Sequence, residues 1–117
     1  MDYEAFFKAL TESIRIKIIR LLAHKPMCVC ELETILGMSQ PRISQHVKIL
    51  KYAEIVNDEK KGQRSIYSLN QEFLHSTLSD FRAFLEMPLQ DISEFQAEYS
   101  RICDLSRNRD IKTCKMI

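Results

Sequence analysis

The chain has 117 residues, 45% hydrophobic and 28% charged, with only two glycines and three prolines. Those values exclude wholesale disorder, and so few turn formers argue against an all-β fold. The net charge is +1, yet residues 40–64 carry six Lys/Arg against three acidic side chains, a local +3, while residues 65–117 carry six against eight, a local −2. One face is therefore suited to a polyanion although the molecule is near neutral. A single domain over residues 1–105 with a flexible tail over 106–117 is the organisation this length implies. No apolar run reaches the length of a membrane span, and "MDYEAFFKAL" has neither the basic start nor the cleavage site of a signal peptide, so a cytoplasmic protein with no membrane partner is expected. In a reducing compartment the four cysteines, Cys28, Cys30, Cys103 and Cys114, are expected as thiols rather than as two disulfides.

Along the chain, Tyr3, Phe6, Phe7 and Leu10 recur at the spacing of an amphipathic helix. Thr11 reads as the N-cap of a second helix with Ile14, Ile18, Leu21 and Leu22 inward. "AHKP" ends it, because the residue before Pro26 is pushed out of helical geometry. A short third helix presents Leu32, Ile35 and Leu36, with Cys30 at its N-cap, Glu33 completing a capping box and Gly37 as its stop. Ser39 caps a fourth helix, whose first turn tolerates Pro41. Ile43, Val47 and Leu50 mark its buried side; Arg42, Gln45 and His46, with Gln40 and Ser44, mark the other.

After Glu54 the period shortens. "IVNDEKKGQRSIYSL" reads as two strands around a turn at "KKGQ". Leu74, Leu78, Phe81 and Leu85 then form a helical stripe, Met87-Pro88 interrupts it, and Leu89, Ile92, Phe95, Tyr99 and Ile102 form another. The fold expected is mainly α with a small β-hairpin: a winged helix-turn-helix.

A helix fits the major groove with its N-terminal residues at base edges, and a helix start favours a nearby phosphate. Ser39, Gln40, Arg42, Ser44, Gln45, His46 and Lys48 are the candidate readers, and Lys60, Lys61, Gln63 and Arg64 at the hairpin tip are candidates for the backbone or minor groove. The plainer reading is a solvated helix and an ordinary charged hairpin. The tight "GMS" turn upstream and the hairpin downstream favour the first. Because one chain offers one reading helix, a homodimer on an inverted repeat of double-stranded operator DNA is expected. The first helix and the 89–102 stripe are interface candidates, or else intrachain core.

Thiolates select soft metals and metalloids. Two residues apart in a regular helix, Cys28 and Cys30 would point about 200° from each other. At an unwound helix start they can converge, and the positive helix end there favours the thiolate. The alternative is a pair of small buried hydrophobes.

"CVCEL" followed by "SQPRISQHVKIL" resembles the arsenic-sensing repressors of the ArsR/SmtB family of winged-helix regulators. The resemblance covers residues 5 to 70 well and the flanking helices by pattern only. It implies that Cys28 and Cys30 bind As(III) or Sb(III) as inducer, that binding releases a dimeric repressor from its operator, and that Ser39, Gln40, Pro41, Ile43, Ser44 and His46 lie in the DNA-contacting stretch. Where the arsenic-sensing type often has a third cysteine, this chain has Glu33. The third sulfur must then come from Cys103, from Cys114, from a small-molecule thiol or from nowhere, and Cys103 and Cys114 can also be a packing residue and a bystander. His24, His46 and His75 lack the paired spacing of the zinc site the family places on its last helix.

Alternatives within the fold are a redox or sulfur sensor, with Cys28 or Cys30 bridged to a distant cysteine, and a cadmium or lead sensor. An enzyme is not expected: thiol oxidoreductases carry C-x-x-C beside a βαβ unit, and no parallel-sheet pattern is present. A helical adaptor that binds only proteins would show no salt-sensitive DNA affinity.

Overall fold

The computed structural model describes residues 3–107. Six helices and a three-stranded antiparallel sheet follow in the order α1 (Glu4–Ala9), α2 (Ser13–His24), β1 (Met27–Cys28), α3 (Val29–Leu36), α4 (Gln40–Tyr52), β2 (Val56–Lys61), β3 (Arg64–Leu69), α5 (Gln71–Glu86) and α6 (Gln96–Arg107), with 3₁₀ turns at Leu89–Asp91 and Ser93–Phe95. This is the expected winged helix-turn-helix order. Among the described residues no helix is long and apolar enough to cross a membrane.

The chain packs as two compact units, Met1–Thr77 and Leu78–Ile117, which divide inside α5. The first unit holds the continuous core: Phe6, Ala9, Ile18, Leu22, Met27, Leu32, Ile43, Val47, Leu50, Ala53, Ile55 and Val56 bury against one another. In the second, Ile92 is buried among the described residues, while Leu78, Leu85, Ile102 and Leu105 stay 45–66% exposed. The expected helical stripe from Leu89 does not begin there. Ile92 takes an extended conformation (φ −95°, ψ 112°) between the two 3₁₀ turns, and helix resumes only at Gln96.

Helix ends differ from expectation in instructive ways. Glu12, not Thr11, occupies the N-cap of α2, and the Thr11 hydroxyl donates instead to the Lys8 carbonyl at 2.8 Å. The cap of α3 falls on Cys28, two residues before the expected Cys30, and the Glu31 carboxylate accepts from the Cys28 backbone N–H at 3.0 Å. The reason is β1. Met27 and Cys28 are extended because they pair with Tyr67 and Ile66 of β3, so helix can begin only at Val29. Gly37 stops α3 in the left-handed region (φ 64°), as its position predicted. Ile35, expected inside, is 52% exposed.

α4 ends on a non-glycine left-handed residue. Glu54 has φ 66°, and the Glu54 and Ile55 N–H groups donate to the Lys51 and Leu50 carbonyls, the bonding of a Schellman turn. Asn70 closes the same corner: its amide nitrogen donates to the Glu54 carbonyl at 3.2 Å, its backbone N–H to the Ile55 carbonyl at 2.8 Å, and its side-chain oxygen accepts from the Phe73 N–H at 3.2 Å. β2 and β3 then run antiparallel from Val56↔Leu69 to Lys61↔Arg64, leaving Gly62 and Gln63 as the turn; Gly62 supplies the positive φ (66°).

Candidate DNA-reading face and thiol pair

The spacing of Ile43, Val47 and Leu50 puts all three on one side of α4, where each is at most 1% exposed. That burial turns the opposite side outward. Gln40, Arg42, Ser44, Gln45 and Lys48 are exposed, as is Ser39 at the N-cap. On the hairpin Lys60, Lys61, Gln63 and Arg64 are exposed. Lys61 lies 3.9 Å from Glu59 with both side chains in solvent, a contact of little energetic weight that leaves the cation available to a phosphate. Lys51, at the other end of α4, pairs with Asp58 of β2 at 3.0 Å and ties the base of the hairpin to the helix.

His46 sits apart from this exposed set. It is half-buried, and its Nδ1 lies 3.2 Å from Nη1 of Arg15 on α2. The arginine donates, so the ring nitrogen facing it is the unprotonated one. Burial, outweighing the attraction of Glu12 and joined by repulsion from Arg15 and Arg42, holds the His46 pKa below its ordinary value. Arg15 is itself only 5% exposed, and its guanidinium also donates to the Ala9 carbonyl (2.8 Å) and the Lys8 carbonyl (3.3 Å), with Glu12 at 3.3 Å. It thus satisfies the open carbonyls at the end of α1. Arg15 belongs to no motif that marks it in the sequence. The signal was its place on the inward face of α2, three residues before Ile18 and seven before Leu22.

The thiol pair lies at the junction of β1 and α3. Cys28 is 3% exposed and sits in the sheet opposite Ile66; Cys30 is exposed. The expected free thiols are not what the structure holds, because Cys28 and Cys30 are bridged to each other as a disulfide. The extended cap residue followed by the first helical turn sets their Cα atoms 5.4 Å apart, within the range a disulfide spans. Sulfurs that a continuous helix would hold apart therefore meet. Cys103 is half-buried on α6 outside any disulfide, and its thiolate charge, with a hydrogen bond to it and slight burial, pushes the Tyr99 phenol above its usual pKa. Cys114 lies outside the described residues.

Cys28 and Cys30 line an open cleft of about 310 Å³ shared with Gln40 and Ser44 of α4 and with Gln63 and Arg64 of the hairpin. Among the described residues no group of three His, Cys, Asp or Glu side chains converges as a metal site. Once the bridge is reduced, the donors present would offer a thiophilic ion two sulfurs at one place, beside the exposed polar side of α4 and the hairpin tip.

A helix-turn-helix of α3 and α4, turned at Gly37 and followed by the basic β2–β3 hairpin, defines a winged-helix DNA-binding protein. Residues 12–58 match the model of the arsR family of bacterial regulatory proteins. An arsenical resistance operon repressor of Bacillus subtilis is 39% identical over 79 residues, covering 67% of this chain and 75% of that one. The transcriptional repressor SdpR of the same organism is 35% identical over 74% of this chain and 96% of its own. In structure, a homodimeric winged helix-turn-helix DNA-binding domain from Mycobacterium bovis superposes with a TM-score of 0.59 at 24% identity, over 75% of this chain and 82% of that one, a likeness of fold. The chain belongs to the arsR family and is a DNA-binding transcriptional regulator of the repressor type.

Proposed function

We propose that this repressor leaves its operator when As(III) or Sb(III) binds the thiolates of Cys28 and Cys30 in their dithiol form. The observation that carries the reading is the shared cleft: the sulfurs, the start of the reading helix and the tip of the hairpin line one space. Cys28 is also paired with Ile66 of the hairpin strand in the β1–β3 ladder, so a change of geometry at sulfur is transmitted to the wing as well as to α3. The chain's similarity to arsenical resistance operon repressors points the same way. In this reading Gln40, Arg42, Ser44, Gln45 and Lys48 face the major groove, while Lys60, Lys61, Gln63 and Arg64 meet the flanking backbone. Operator and inducer are both met in the cytoplasm.

The repressor works as a homodimer on an inverted repeat. Support comes from the large apolar side chains of α5 and α6 that the single chain leaves uncovered, Leu78, Leu85, Ile102 and Leu105, and from the homodimeric state of a winged-helix domain of the same fold. The test is a titration of reduced protein with arsenite and antimonite, following thiolate–metalloid absorbance and operator anisotropy together. Absorbance and release rising in step support the reading; full operator occupancy with the thiols saturated by arsenite would end it.

A second reading has one observation in its favour. The Cys28–Cys30 disulfide makes oxidation itself a candidate signal, with the bridge formed between neighbours and not to a distant cysteine. Release by a disulfide oxidant without arsenite, and reversal by dithiothreitol, would favour it. Cadmium or lead, the other thiophilic candidates, are separated by running the same titration with each ion.

A further inference from the structure

We infer that the cleft beside Cys28 and Cys30 admits a low-molecular-weight thiol bearing a carboxylate, which supplies the third sulfur to the bound metalloid. The inference rests on the metalloid reading above and identifies the missing member of its ligand set. Trivalent arsenic takes three sulfurs, and this chain brings two together. Glu33, three residues after Cys30 on α3, brings no third sulfur, and no described cluster offers three donors. The sulfurs differ in access: Cys28 is sealed into the sheet and core, whereas Cys30 is open to solvent, so a third ligand approaches from the open cleft.

The cleft suits a small polar thiol in size and chemistry. Its volume of about 310 Å³ lies at the lower end of the range for small-molecule sites. Arg64 lines it and also lines the neighbouring surface groove beside Cys30 and Glu31. Arg64 forms no ion pair with any described residue, so a planar cation with free donors stands next to the exposed sulfur, matched to a carboxylate. Gln40, Ser44 and Gln63 add neutral donors and acceptors.

The chemistry closes without an outside oxidant. Two equivalents of the small thiol reduce the Cys28–Cys30 bridge to the dithiol, and they leave as their own disulfide. Arsenous acid then condenses with Cys28, Cys30 and one further small thiol: three As–O bonds and three S–H bonds break, three As–S bonds form, and three waters leave. The third thiol occupies the space between Gln40 on the reading helix and Gln63 on the hairpin. It therefore excludes DNA from that space, and release follows from occupancy.

Native mass spectrometry of the full-length protein, reduced with a phosphine, tests this with arsenite alone, with arsenite plus reduced glutathione, and with arsenite plus mercaptoethanol. The expected result is one arsenic and one glutathione added per subunit, with arsenite affinity by thiolate–arsenic absorbance about tenfold higher with glutathione than with mercaptoethanol, the factor of one charge-assisted contact. Arg64→Ala should remove that advantage and leave binding with mercaptoethanol unchanged. A complex holding arsenic but never glutathione, whose affinity drops in Cys103→Ser or Cys114→Ser, overturns the inference and leaves the metalloid reading standing. No arsenic bound under any of the three conditions overturns the metalloid reading itself.

Discussion

Arg15 on α2 and His46 on α4 are joined at 3.2 Å, with the guanidinium donating to the imidazole Nδ1, and the same guanidinium closes the C-terminal end of α1. A buried cation is tolerated here because nearly every donor has an acceptor: two carbonyls, the imidazole and the Glu12 carboxylate. The contact holds α4 against the α1–α2 corner on one flank, while the Lys51–Asp58 pair holds it against the hairpin on the other. α4 is thus braced at its middle by one contact and near its C-terminal end by the other.

That contact sets a pH dependence. His46 is held below its ordinary pKa in the folded state, so the unfolded chain binds its proton more readily. Stability from this group is complete above the unfolded pKa of about 6.5, and it declines as pH falls from there through the lowered folded value. Thermal unfolding of the wild type should therefore lose midpoint between pH 7.5 and pH 5.5 more steeply than His46→Gln does. Parallel curves for the two proteins would show that the ring is not held neutral by its surroundings.

The two cysteines should separate in stability while agreeing in function. Cys28 is buried at the sheet edge of the core, so Cys28→Ser places a hydroxyl among apolar groups and should cost about 1–3 kcal/mol in urea unfolding of reduced protein. Cys30 is exposed, and Cys30→Ser should stay within about 0.5 kcal/mol. Both variants should keep operator binding and lose release by arsenite, a coupling of about 1–3 kcal/mol in the wild type. Normal release from Cys30→Ser would mean the pair is structural.

Arg42 is exposed near the start of α4 and has no ion pair with any described residue. Arg42→Ala should weaken operator binding by about 1–3 kcal/mol if it meets a base edge, or lower the salt slope by about one if it meets a phosphate. Arsenite affinity should not change in either case. Fluorescence anisotropy over a salt series reads both quantities, and an unaltered affinity and slope would remove Arg42 from the interface.

Glu54 terminates α4 in the left-handed region, where a Cβ carries a penalty that glycine does not. Glu54→Gly should raise stability by about 0.5–1 kcal/mol, the relief at φ 66° exceeding the extra entropy of an unfolded glycine. Equilibrium urea unfolding is the measurement. A loss of stability would show that the side chain, and not the turn, carries weight at that corner.

Where a property is local and periodic, it was legible in advance. Ile43, Val47 and Leu50 bury as their spacing predicted, and Gly37 and Gly62 take the positive φ that their turns require. The exposed set on α4 follows from the same geometry, since burying one side of a helix presents the other. Ile35 shows the limit: an apolar residue at helical spacing still stands 52% exposed, because whether a neighbour arrives to cover it is not written in the spacing.

Sequence alone determined the order of helices and hairpin, the polar side of α4 and the thiol pair in front of it, because each depends on residues within a few positions of one another. Tertiary structure decided what those parts touch. A two-residue strand has no period to detect, yet β1 moved the cap of α3 to Cys28 and fastened that cysteine to the hairpin. Arg15 has the composition of a surface residue, yet it lies buried and braces His46 from 31 positions away. Contacts of that separation form only when the whole core closes, and they place the sulfurs in the cleft that α4 and the hairpin share.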